Sequence, residues 1–234
     1  MRTIYRFQLR LLFTKGRVLG LGALALLAIA LAFAVRGTGY GIERRAFGMV
    51  GLVGLGGLVP ITSLVLASAS LGDLAEDGTL VHLWLRPVRR SHIAVGSWLA
   101  ALTLAVPMAV LPMTIAAAVT GIGGRFVLGT LAACLLGCCA YCALFVGLGL
   151  RITRALAWGL AYVLIWEGAI ANAGAGLSKL ALRLYTRSFL RAMTPETPRM
   201  RFPVSSVTGA VVPVVVTVAA LILATRRLDS TDIA

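Results

Sequence analysis

The chain runs to 234 residues, 59% hydrophobic and 13% charged, with a mean hydropathy of +0.95 and a formal net charge of +14. So apolar a composition excludes an ordinary soluble domain and makes the bilayer the solvent for much of the chain. The basic excess sits at the ends of apolar runs, where lipid headgroups meet it, so it argues for a membrane surface and against nucleic acid.

A membrane span takes about 20 apolar residues. On that ruler the chain divides into six, at 18–35, 46–70, 93–119, 126–150, 155–176 and 207–225. The expected fold class is an all-α membrane protein: an amphipathic helix at 1–17, then a single six-span domain over 18–234. In the first helix Arg2, Arg6 and Arg10 share one side and Ile4, Phe7, Leu11 and Leu12 another, which suits a helix lying flat on headgroups. It is too long, aromatic and basic for the n-region of a cleaved signal. The first span is Leu, Ala and Gly. The second carries Gly48, Gly51, Gly54, Gly56 and Gly57, small residues that let another helix approach closely, and Pro60 as a kink.

Between the second and third spans lies a polar island, Leu71 to His92. Asp73, Glu76 and Asp77 crowd its start and Arg86, Arg89 and Arg90 its end, the order a helix dipole favours, and Pro87 stops the helix. Leu80, Leu83 and Trp84 fall at three/four spacing on one face, a contact surface for a soluble partner. The run Glu76, Asp77, Gly78, Thr79, Leu80, then Pro87, Arg89 and Arg90, resembles the cytoplasmic coupling segment of type-2 ABC transporter permeases. The resemblance implies a separate ABC ATPase subunit, carrying ATP and Mg, that docks on Glu76, Asp77, Gly78, Thr79, Leu80, Leu83 and Trp84. It also implies a second permease chain, identical or related. The same family begins with an elbow helix like 1–17, commonly with an acid near its middle, where this chain has Gln8.

The third span is broken by Pro107 and Pro112, as a bend or as part of a substrate path. In the fourth, Cys134, Cys138 and Cys142 recur every four residues with Cys139 beside them. Thiolates attract soft metals, but no His or Met assists within the helix. They read as small packing residues, with no metal expected.

The fifth span holds Glu167, with Trp166 before it and Asn172 after. At about 1.5 Å per residue it lies about 18 Å from Ala155, a little past mid-membrane. A charge there costs roughly 2.5 to 3.5 kcal/mol on insertion scales and needs a partner or a water-filled cavity. The phrase Tyr162 to Gly168 resembles the fifth span of one branch of the type-2 permeases. Two roles stay open, substrate contact and pinning of the following outer segment through a basic residue. In that segment Lys179, Arg183, Arg187 and Arg191 repeat every four residues opposite Leu177, Leu180, Leu184 and Tyr185, predicting an amphipathic helix on the outer membrane surface, ended by Pro195, Pro198 and Pro203. The family has short external helices here that close the outer mouth. The resemblance therefore sets the stripe at the exit, facing anionic lipid or acidic cargo; the alternative is a solvated face.

Six spans put both termini on one side. That side carries five basic residues before the first span, three at 86–90, two at 151–154 and two at the end, twelve against ten, which favours cytoplasmic termini in a cell membrane, as in a bacterial plasma membrane. The chain lacks Gly-x-x-x-x-Gly-Lys-Ser/Thr, has only His82 and His92 as histidines, and offers no acid-base or nucleophile set, so no cofactor and no enzymatic activity are expected of it. The expected function is that of a permease subunit of an ATP-driven exporter of drug-like, lipid or peptide cargo. The alternative is an ATP-independent transporter or lipid-handling protein that uses Glu167.

Overall fold

Long apolar runs have no water to satisfy their peptide groups, so each must close its hydrogen bonds within itself, and the helix does this. The computed structural model describes residues 2–37, 39, 41–76, 90–152, 154–169, 175–194 and 204–230, and is helical with no strand among them. In chain order these are α1 (Arg2–Leu12), α2 (Lys15–Arg36), and α3 (Ile42–Met49), which passes through a π-helical segment (Val50–Leu58) into α4 (Val59–Glu76). Next come α5 (Arg90–Ala105), a π-helical turn (Val106–Val110), α6 (Leu111–Thr120) and α7 (Gly124–Gly149). Then α8 (Ala155–Ala161) runs into a π-helical segment (Tyr162–Ala169), followed by α9 (Ala175–Ser178), α10 (Leu182–Met193) and α11 (Ser206–Ser230).

Among the described residues five helical runs are long and apolar enough to cross a membrane: Lys15–Arg36, Ile42–Gly72, Arg90–Thr120, Gly124–Gly149 and Ser206–Asp229. They give the chain the character of a multi-pass membrane protein. The expected fifth span departs from this. Its helix from Ala155 to Ala169 reaches about 22 Å, short of a hydrocarbon core of about 30 Å, and residues 170–174 of that expected span lie outside the described residues.

Packing is tightest where side chains are smallest. On α4 and α7, Gly72 and Gly149 face each other, and a Cβ on Gly149 would sit 2.9 Å from the Ser68 carbonyl oxygen. α2 buries Leu21, Ala25, Ala28 and Ala32 along one stripe and exposes Leu19, Leu26, Leu27 and Phe33. Small residues inward and leucines outward is the pattern for a helix in lipid, where the apolar exterior carries no cost. α11 repeats it, with Pro213, Thr217, Ala220, Ala224 and Leu228 inward and Val207, Val211, Val215 and Ile222 outward.

Polar contacts fix the relative direction of the helices. The Arg36 guanidinium donates to the Val119 carbonyl at 3.4 Å, so α2 ends beside the end of α6. Arg90, at the start of α5, donates to the Leu228 carbonyl and lies 3.8 Å from Asp229. The starts of α2 and α5 and the ends of α4, α7 and α11 therefore lie toward one end of the bundle. α1 packs along α5 through a Tyr5–Thr103 hydroxyl pair at 3.0 Å, with Leu12 buried and the Gln8 amide buried without a hydrogen-bond partner among the described residues.

Candidate functional site

Among the described residues Glu167 is the most deeply placed acid, with no solvent exposure. Its neighbours come from three elements. Tyr141 of α7 donates its hydroxyl to Oε2, Tyr162 donates to Oε1 at 3.2 Å, and the Leu182 backbone N–H donates to Oε1 at 3.1 Å. The π-winding explains the second donor. Residues five apart in an α-helix point about 140° away from each other, whereas i→i+5 winding stacks Tyr162 near Glu167. The third donor is the first N–H of α10, one of the groups a helix start leaves unpaired, so Glu167 caps α10 from another element and sits where the helix dipole favours an anion.

Arg183 follows within the same turn. It is buried, and its charge acts on both Glu167 and Tyr141. One turn further, the Arg187 guanidinium lies over the Phe47 ring with Cζ 5.1 Å from the centroid. Both arginines rest on glycines of the second-span π-helical segment. A Cβ on Gly51 would meet Arg187 Nε at 2.8 Å, and one on Gly56 would meet the Arg183 guanidinium at 2.8 Å. Five-residue spacing stacks Gly51 and Gly56 on one side of a π-helix, and four-residue spacing stacks Arg183 and Arg187 on one side of α10; the two rows mesh antiparallel. Burial and the neighbouring Arg183 charge hold Arg187 below the usual guanidinium range, and its Nε has no hydrogen-bond partner among the described residues.

α10 runs along α7, with Leu190 and Met193 against Gly129 and Thr186 against Gly137, and its other side meets α11, where a Cβ on Gly209 would sit 2.8 Å from the Tyr185 carbonyl oxygen. The sequence predicts an amphipathic helix here, and the structure packs it against α7, α11 and the second-span π-helical segment. The basic stripe is accordingly split: Arg183 is buried, Arg187 and Arg191 are half-buried, and Lys179 is exposed. Trp166 is half-buried beside Glu167. Asn172 lies outside the described residues, as do Asp77, Gly78, Thr79, Leu80, Leu83 and Trp84; Glu76 is the last residue of α4. The cysteines are free thiols, three buried and Cys139 half-buried, and Ser63 donates to the Cys138 sulfur at 3.7 Å.

Sequence reasoning misses Tyr141, Phe47, the bond from the Tyr162 hydroxyl to Glu167 and the seating role of Gly51 and Gly56. Tyr141 is the only tyrosine in a run of Cys, Ala, Leu and Gly, a polar tip inside an apolar helix, and that signal was available. The other pairings depend on π-helical windings that α-helical periodicity discounts. Chemically, the arrangement fixes a carboxylate with three donors and ties α7, the Tyr162–Ala169 segment and α10 together. No protein-family model matches the chain, and no curated protein matches it in sequence.

Proposed function

We propose that the chain is the membrane-spanning subunit of an ATP-driven exporter, paired with a second permease chain and docked by a separate ATPase subunit at Glu76 to Trp84. The observation that carries this reading is the residue pattern Glu76-Asp77-Gly78-Thr79-Leu80 with Pro87, Arg89 and Arg90, set between α4 and α5, which pack side by side. The chain holds no phosphate-binding Gly-Lys-Ser/Thr loop, so the nucleotide chemistry would come from the partner. In this reading α1 is the elbow helix, residues 170–176 complete the fifth of six spans, and both termini face the cytoplasm. The second span is one helical stack from the coupling segment to the glycines beneath Arg183 and Arg187. A push at Glu76 would therefore travel to α10 as a rigid shift of that stack and loosen the outer half of the path.

The test is purification of the tagged chain in mild detergent with identification of the soluble subunit that accompanies it. An ATPase is expected, and its activity should depend on this chain and fall when Gly78→Asp and Leu83→Asp are introduced together. Transport by the chain alone, with no nucleotide-hydrolysing companion, sinks the proposal. The alternative, an ATP-independent transporter or lipid-handling protein that uses Glu167 as a proton carrier, predicts pH-driven flux without ATP that Glu167→Gln abolishes. The three donors closing on Glu167 favour a carboxylate held in place over one that loads and releases protons.

A further inference from the structure

Among the described residues three stretches are wound as π-helix: Val50–Leu58, Val106–Val110 and Tyr162–Ala169. The second carries Pro107 within it and Pro112 two residues beyond, and proline takes donors out of an α-helical ladder. The other two hold no proline. At nine and eight residues they are also longer than the single π-turns that interrupt most helices. Their winding must be held from outside.

α10 touches both. Its first N–H, on Leu182, donates to Glu167 in one segment, and Arg183 and Arg187 rest on Gly56 and Gly51 in the other. The two segments also pack against each other. This seat needs π-winding on both sides, because residues five apart in an α-helix point about 140° away from each other. Rewinding to α would separate Gly51 from Gly56 and turn Glu167 away from Tyr162, so α10 would lose its groove and its cap in one step. Conversely, once α10 leaves, neither segment keeps a contact that favours π over α. In the second span Gly51, Gly54, Gly56 and Gly57 leave few side chains to resist the change.

We infer that α10 is a latch: seated, it holds Val50–Leu58 and Tyr162–Ala169 in π-winding, and on leaving its seat it lets both rewind to α-helix together. The inference rests on packing within the chain and stands whether or not an ATPase docks on it. The test joins two thiols at π spacing in the full chain. Leu52 is exposed, and a Cβ on Gly57 would meet nothing closer than the Leu52 carbonyl oxygen at 3.7 Å, so cysteines fit at both positions. The chain carrying Leu52→Cys with Gly57→Cys is treated in mild detergent with dibromobimane, a short reagent that bridges two thiols. The bridged peptide is read by mass spectrometry, apart from the native cysteines, which all lie in α7. The bridge should form in this parent, and about tenfold more slowly when Gly209→Ala is added, since that methyl group presses on the α10 backbone at Tyr185 and Phe189 from the side of α11. Tyr141→Phe, which loosens Glu167 from α7, should slow bridging about threefold and decides the matter if the Gly209→Ala chain does not fold. Gly20→Ala on α2 should leave the rate unchanged. Bridging as fast in the Gly209→Ala and Tyr141→Phe chains as in the parent overturns the inference, because the winding would not depend on α10. So does equal slowing by Gly20→Ala, which would mean a general loosening of the bundle, or failure to bridge in the parent, which would mean that residues 50–58 wind as α-helix with α10 seated.

Discussion

A buried carboxylate that accepts three hydrogen bonds loses most when the donor without access to water is removed. Tyr141 is fully buried and Tyr162 half-buried, so Tyr141→Phe should lower stability by about 1–2 kcal/mol and Tyr162→Phe by less, read from thermal unfolding in detergent. Glu167→Ala leaves a buried hydroxyl and the first N–H of α10 unpaired and should cost about 2–3 kcal/mol, while its combination with Tyr141→Phe should cost less than the two separately, because the second change removes a group already orphaned. The glycines give a sharper contrast. Gly51→Ala and Gly56→Ala press a methyl group into the Arg187 and Arg183 side chains and should cost about 1–3 kcal/mol each, whereas Gly48→Ala meets nothing within 4 Å and should be neutral or stabilising. Equal effects at positions 48 and 51 would refute the meshing of arginines on glycines.

Among the elements, α10 depends most on its neighbours. Its sequence alternates cations and apolar residues so regularly that it reads as a surface helix, yet in the structure it packs against α7, α11 and the second-span π-helical segment. Such a helix is held by tertiary contacts, so its seat should be more sensitive than its own composition. Gly209→Ala drives a methyl group against backbone, the Tyr185 carbonyl oxygen at 2.8 Å and the Phe189 nitrogen at 3.1 Å, which cannot swing aside as a side chain can. It should lower the thermal midpoint more than Gly51→Ala does. Gly20→Ala on α2, with open space around it, should leave the midpoint where it is. A Gly209→Ala protein as stable as the parent would mean that α10 does not pack on α11 as described.

For the whole molecule the open quantity is the number of crossings, which turns on the segment from Ala155 to Ala169. Six crossings place reporter fusions at residues 1 and 234 on the same face of the membrane, and five place them on opposite faces. We expect the same face; reporters on opposite faces would show that this segment enters the bilayer without crossing it. What the sequence by itself determined is the material of the fold. Six apolar runs of about span length, separated by charged or glycine-rich breaks, have only the helix open to them in lipid, of which five form helices long enough to cross among the described residues, and the deep acid at 167 marked where a polar contact had to form. Which residues meet that acid was decided by tertiary structure, because π-winding puts Tyr162 on the Glu167 face and the approach of α10 brings the Leu182 N–H from fifteen residues away. The inward turn of Arg183 and Arg187 was decided there too: a four-residue repeat puts cations on one side of a helix, but only glycines on a neighbouring helix provide the space that brings that side indoors.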